Sequence, residues 1–255
     1  MIEELLPGSV VAVERHDDDA DRADEGNRVD GAYGADGADP ARGTVLFPEE
    51  EALITRAVPK RRREFTAVRG CARRAMEKLG VPAQAVLPGD RGAPVWPAGL
   101  TGSMTHCEGY SAAALVRAAD LASLGIDAEP HLPLPAGVQD VVALPAEAAR
   151  LRRLAAGHPS VHWDRLLFSA KESVYKAWFP LTGKWLDFTE ADIDVSVHPG
   201  APQGTFRAEL LVPGPVVDGH RIGVFHGRWT VRRDLVATAV SVPFPTRAGT
   251  PGGRS

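Results

Sequence analysis

The spacing of apolar residues changes along this chain, and that change restricts the fold more than any single motif does. Phe65, Val68, Ala72, Ala75, Met76 and Leu79 recur on one face at helical spacing. They predict a long amphipathic helix over about 59–79, closed by Gly80. Short apolar or alternating pieces then follow between turn residues, at 104–107, 110–117 and 121–127, and read as strands. Residues 145–156 and 162–179 read as helices, and 192–197, 205–212, 222–230 and 235–242 as alternating strands. A further short helix over 48–53 is marked by Pro48 and by Glu49, Glu50 and Glu51 in its first turn. Both halves thus hold helices and an antiparallel sheet, and the expected class is α+β.

The remaining composition narrows the function classes. Net charge is −4 over 255 residues, so the chain as a whole is not built to bind nucleic acid. Its charge is uneven, with nine acidic and three basic side chains in 16–43 against seven basic and one acidic in 60–74. The 16–43 stretch has almost no apolar side chains to offset its ordering entropy and reads as a disordered acidic insertion. The Gly/Pro/Arg-rich tail over 245–255 reads as frayed. Cys71 and Cys107 have neither disulfide nor metal-ligand spacing and read as reduced structural thiols. No run approaches the ~20 apolar residues of a membrane span, and Met1 to Leu6 does not read as a signal peptide. A cytoplasmic soluble protein is expected. The chain has no G-x-S-x-G, no phosphate-binding G-x-x-x-x-G-K and no H-E-x-x-H.

Two segments carry chemistry. In Leu167-Phe168-Ser169-Ala170-Lys171-Glu172-Ser173-Val174-Tyr175-Lys176-Ala177-Trp178, Glu172 and Lys176 are four apart and share a helical face. In Gly125-Ile126-Asp127-Ala128-Glu129-Pro130, Asp127 and Glu129 are two apart near a strand end and point the same way. If these elements meet, three carboxylates converge and repel unless a cation lies between them. Hard oxygen ligands of this kind suit Mg²⁺, which commonly also binds substrate phosphate. Lys171 and Lys176 would then hold the rest of the phosphate.

The same residues carry a family resemblance. G-x-D-x-E, followed some forty residues later by F-S-x-K-E-S-x-x-K, resembles the surfactin-type 4′-phosphopantetheinyl transferases. Arg69-Gly70-Cys71-Ala72-Arg73, Pro94-Val95-Trp96-Pro97, Gly102-Ser103-Met104-Thr105-His106-Cys107 and Ala177-Trp178-Phe179-Pro180-Leu181-Thr182 are closer to the enterobactin-synthase-component-D-like and actinobacterial branch. The resemblance implies two similar α/β subdomains, 1–125 and 126–244, related by pseudo-twofold symmetry with the active site in the cleft between them. It implies Mg²⁺ on Asp127, Glu129 and Glu172, and coenzyme A as substrate. Arg61, Arg69, Arg91, Thr105, His106, Lys171 and Lys176 would grip coenzyme A, whose phosphates carry about four negative charges. Tyr175 and Trp185 would line the path of the pantetheine arm.

The implied reaction moves 4′-phosphopantetheine from coenzyme A to a serine of an acyl or peptidyl carrier protein. Glu172 and Lys176 are the implied catalytic residues, Glu172 as the base for the serine proton. The carriers would serve fatty-acid, polyketide, peptide or siderophore assembly, and the enzyme would act as a monomer. The competing expectation is a binding module for coenzyme A or a nucleotide bisphosphate that keeps the fold without the transfer.

Overall fold

Two antiparallel sheets meet across a shared apolar core, and each is backed on its other side by one long helix. The computed structural model describes residues 1–16 and 45–245. Beyond His16, the expected acidic insertion lies outside the described residues, as does the expected tail beyond Pro245.

In chain order the elements are β1 (Val11–His16), α1 (Pro48–Leu53), α2 (Pro59–Lys78), β2 (Leu87–Pro88), β3 (Pro94–Val95), β4 (Leu100–Cys107), β5 (Tyr110–Arg117) and β6 (Ser123–Pro130). Then come α3 (Val138–Val142), α4 (Pro145–Gly157), α5 (Trp163–Thr182), β7 (Ala191–Val197), β8 (Gln203–Leu210), β9 (Val216–Val217), β10 (His220–Arg221), β11 (Val224–Arg232) and β12 (Leu235–Val242). The sheets run β1-β5-β4 and β6-β12-β11-β8-β7, with β2-β3 and β9-β10 as small ribbons. The mixed α/β content agrees with the expected class. No described helix is long and apolar enough to cross a membrane.

Strand alternation sorts the core into layers. Val13, Ala113 and Leu115 pack with Cys71, Ala72, Ala75 and Met76 of α2. The intervening Ala12, Ala112 and Ala114 turn to the other face and meet Leu124, Ile126 and Ala128 of β6 and Ala237 and Ala239 of β12. On the far side of the second sheet, α5 buries Leu166, Leu167, Ala170, Val174 and Trp178 with Phe206, Phe225 and Trp229.

Several boundaries differ from the sequence expectation. β4 begins at Leu100 rather than Met104, because Gly102 lets β5 approach: a Cβ there would lie 2.2 Å from Leu115 Cδ2 and 2.6 Å from the Ala114 carbonyl oxygen. α5 continues past Pro180 to Thr182 and ends on Gly183, whose φ of +63° suits glycine. Pro180 lies in the last turn, where its missing N–H costs a single helical bond.

The junction of the two sheets sets up the site. β6 is an edge strand, and the hydroxyls of β4 cap its free N–H groups. Ser103 Oγ accepts from Ile126 N at 3.0 Å, and Thr105 Oγ1 accepts from Ala128 N at 3.2 Å. Even-numbered residues of β6 fill the shared core, so Gly125, Asp127 and Glu129 face the α5 side. At Gly125 the helix backbone comes so close that a Cβ would lie 2.0 Å from the Ser173 carbonyl oxygen. Ser123 Oγ donates to Ala177 O at 2.8 Å and fastens the same contact.

Candidate active site

The close approach at Gly125 brings Asp127 of β6 against Glu172 and Lys176 of α5, at one side of a cleft of about 650 Å³. α2, the loop from Gly89 to Val95, and β4 supply the opposite wall. Asp127 is buried. Its Oδ1 accepts from Lys176 Nζ at 2.7 Å and from Thr105 Oγ1 at 3.2 Å. Lys176 Nζ also donates to Ile126 O at 3.1 Å. The second oxygen, Asp127 Oδ2, is buried with no hydrogen-bond partner.

Glu172 lines the cleft. Burial raises its pKa above the ordinary carboxylate value, the negative charge of Asp127 adds to the rise, and Lys176 opposes it. Glu129 lies outside the cleft lining, and its Oε2 accepts from Arg165 Nη1 at 2.9 Å. Its pKa is also raised, by burial first and by Asp127 second, with Arg165 opposing. Both glutamates therefore feel the charge of Asp127. Among the described residues, however, no three His, Cys, Asp or Glu side chains gather closely enough to hold a metal ion. Lys176 and Arg165 provide the positive charge instead, on Asp127 and Glu129. The donor set still suits a hard divalent cation: it is all oxygen, mutually repelling, and includes one buried oxygen without a partner. Burial, then Glu129 and Asp127, push the nearby Cys107 thiol up to about 12, in keeping with a protonated thiol in the free protein.

The basic residues divide into two groups. Arg61, Arg69, Arg91 and His106 line the cleft, as does Thr105. Arg61 Nη1 and His106 Nε2 are 2.8 Å apart. Burial lowers the His106 pKa, and the charges of Arg61 and Lys176 lower it further, against a backbone hydrogen bond and Glu64, which oppose the drop. Arg69 is buried on the cleft wall, with its guanidinium carbon 3.2 Å from the Phe65 ring centroid. Arg91 sits in a left-handed conformation, φ +53°, with its guanidinium carbon 5.8 Å from the Trp185 ring centroid. Tyr175 and Trp185 pack at 4.9 Å beside a small recess of about 70 Å³ that Glu172 also lines.

Lys171 forms the other group: it borders the small recess that Glu172 and Tyr175 line and is absent from the lining of the large cleft. It is 3% exposed. Its ammonium pairs with Glu147 at 2.8 Å and donates to the carbonyls of Ala191 at 2.9 Å and Phe188 at 2.5 Å. All three donors are thus used inside the protein, away from the cleft that Lys176 lines. The reason is rotational: five helical steps place Lys171 and Lys176 about 140° apart around the axis.

Sequence reasoning missed several contributors. Arg165 is seven residues before Glu172, two turns along the same helix face, and that spacing was a usable signal. Ser103 and Glu147 offered no signal beyond a strand hydroxyl and a helix-start acid. Glu50 likewise read only as a first-turn acid, yet it is fully buried. Its Oε2 accepts from Phe47 N at 3.1 Å and Arg73 Nη1 at 2.6 Å, and its Oε1 from Val86 N at 2.9 Å.

Comparison with known proteins agrees with this geometry. Residues 49–116 match the 4′-phosphopantetheinyl transferase N-terminal domain, and 123–211 match the 4′-phosphopantetheinyl transferase superfamily. The chain is 60% identical over 207 residues to the 4′-phosphopantetheinyl transferase Svp of Streptomyces mobaraensis, covering 81% of this chain and 82% of that protein. It is 47% identical over 209 residues to the 4′-phosphopantetheinyl transferase PptT of Mycobacterium tuberculosis, covering 82% and 91%. With Npt of Nocardia iowensis, likewise a 4′-phosphopantetheinyl transferase, it shares 48% over 198 residues, covering 76% and 88%. With identity at this level across most of both chains, this protein belongs to the 4′-phosphopantetheinyl transferase superfamily.

Proposed function

We propose that the protein transfers 4′-phosphopantetheine from coenzyme A to the serine hydroxyl of an acyl or peptidyl carrier protein. The observation that carries this reading is the meeting of Asp127, Glu172 and Lys176 in one cleft that also presents Arg61, Arg69, Arg91 and His106. Carboxylates beside a lysine suit proton and phosphoryl transfer, and a wall of arginines suits the phosphates of coenzyme A.

In the reaction, the serine oxygen attacks the phosphorus that bears the pantetheine arm. The bond to the second phosphate breaks, and adenosine 3′,5′-bisphosphate leaves. Glu172 takes the serine proton. Its raised pKa brings it nearer the working pH, where a general base contributes roughly 10²–10⁴-fold. Lys176 stabilises charge on the transferring phosphoryl oxygens. Arg61, Arg69, Arg91 and His106 hold the adenosine-side phosphates, with Thr105 beside them. Tyr175 and Trp185 flank the pantetheine arm. Asp127, Glu129 and Glu172 would hold Mg²⁺, which when bound neutralises diphosphate charge and orients it.

The reading includes two similar subdomains, 1–125 and 126–244, related by a pseudo-twofold axis, with the active site between them. A duplicated detail supports it. α1 and α4 both start with proline, and each carries a buried glutamate as its third residue. Glu147 Oε2 accepts from Leu144 N at 2.7 Å and Oε1 from Ile193 N at 2.7 Å, the same pattern that Glu50 makes with Phe47 N and Val86 N. Each glutamate also pairs with a cation on the long helix that follows, Arg73 or Lys171. On this reading a single chain suffices, working in the cytoplasm.

The test is to incubate the protein with apo carrier, coenzyme A and Mg²⁺ and weigh the carrier. A gain of one phosphopantetheine arm, lost on chelation of Mg²⁺, is expected. Unmodified carrier despite bound coenzyme A would point to a binding module instead.

A further inference from the structure

The duplicated buried glutamates have different surroundings in the two halves. Around Glu147 the charges balance: one carboxylate faces one ammonium, and two carbonyls saturate the rest of Lys171. Around Glu50 they do not. The same carboxylate serves two guanidinium groups, Arg73 at 2.6 Å and Arg69 at 3.8 Å. Both arginines are largely buried, and Arg69 Nε and Arg73 Nη2 have no hydrogen-bond partner. One of these two positive charges is therefore left without a carboxylate of its own, and Arg69 is the member that lines the cleft. Burial lowers the Arg69 pKa to about 10, Glu50 works against the drop, and Arg61 and Arg73 add to it.

We propose that Glu50 is a positioning residue: it pins Arg69 against the Phe65 ring so that the guanidinium meets a nucleotide phosphate in the cleft. The proposal rests on the coenzyme A reading above. An arginine side chain is flexible, and fixing it before the ligand arrives removes an ordering cost from binding. Glu50 is itself fixed by the two backbone N–H groups it accepts from, one at the start of α1 and one at Val86. The frame that holds Arg69 therefore belongs to the fold and is present without ligand. Arg73, the closer partner, takes one oxygen, and Arg69 is held more loosely by the other.

The duplication supplies a matched control. Glu50→Gln and Glu147→Gln remove the same charge from equivalent buried positions. The measurement is calorimetric binding of adenosine 3′,5′-bisphosphate, well below each variant's Tm, with Tm recorded separately. Arg69→Ala is expected to weaken binding. Glu50→Gln is expected to weaken it by about tenfold. The double variant should bind no more weakly than Arg69→Ala alone, because Glu50 acts only through Arg69. Glu147→Gln should lower Tm yet bind like the wild type.

A purely electrostatic role predicts the opposite sign, since removing a carboxylate beside the site would tighten phosphate binding. Unchanged or tighter binding in Glu50→Gln, with Arg69→Ala still impaired, overturns the proposal and leaves the coenzyme A reading intact. Unchanged binding in Arg69→Ala also overturns the proposal, whereas absence of binding by the wild type would overturn the coenzyme A reading. If Glu50→Gln does not fold, Glu50→Asp keeps the charge but draws it back by one methylene group. Its binding should also weaken, and wild-type affinity there overturns the proposal.

Discussion

Gly125→Ala adds one methyl group at the point where β6 touches α5. The new Cβ would lie 2.0 Å from the Ser173 carbonyl oxygen, 2.7 Å from Ala177 N and 3.1 Å from the Lys176 carbonyl carbon. Non-bonded carbon and oxygen need at least about 3 Å, so the helix must retreat by about 1 Å. All three obstacles are backbone atoms of α5, so no side-chain rotation relieves the clash. Overpacking of this kind costs about 1–3 kcal/mol. For a chain of this size that lowers Tm by about 2–12 °C. The same retreat pulls Lys176 and Glu172 away from Asp127, where Lys176 Nζ now sits 2.7 Å from Oδ1. A misplacement of about 1 Å costs up to about 10²-fold in rate. The assay is thermal unfolding alongside kcat for carrier modification at a temperature where the variant is folded. A fall in both is expected. Wild-type Tm and turnover would refute the claim that helix–strand contact at Gly125 assembles the site.

Other outcomes follow from the same geometry. Lys171→Met strands the Glu147 carboxylate, which has no exposure to solvent, and should cost about 3–5 kcal/mol while coenzyme A affinity holds. A stable variant with weakened coenzyme A binding would return Lys171 to the phosphate site. In free enzyme the His106 pKa lies below the ordinary histidine value, and a bound phosphate raises it. Between those two values binding takes up a proton, so affinity for adenosine 3′,5′-bisphosphate should strengthen as pH falls through that window. His106→Gln should remove this slope, and an unchanged slope would show that another group titrates. Trp185→Ala should raise KM for coenzyme A by about 2–5-fold with little change in kcat, in line with loss of an exposed cation–π contact with Arg91. An unchanged KM would place Trp185 outside the substrate path.

Local spacing made part of the site legible. The four-residue gap between Glu172 and Lys176 and the two-residue gap between Asp127 and Glu129 are periodic features that a chain displays without its fold. Both survive in the structure, although β6 runs on to Pro130 rather than ending near Asp127. The apolar faces of α2 and α5 were readable for the same reason. Long-range pairings were not. Val86 N reaches Glu50 across 36 residues and Ile193 N reaches Glu147 across 46. Nothing in a Pro-x-Glu helix start says that its acid will be buried. Arg165 and Glu129 are likewise 36 residues apart, so the cation on that carboxylate had no local signature. Lys171 is a different case: its position about 140° from Lys176 around the helix was available from the spacing alone, but the family motif drew both lysines toward the phosphate.

Replacement of Glu172 by alanine separates binding from chemistry most directly. The variant should still bind coenzyme A, since the arginines and His106 are untouched, while turnover of apo carrier followed by mass falls by about 10²-fold or more. A Glu172→Ala enzyme that modifies carrier at the wild-type rate would contradict the assignment of proton transfer to this cleft.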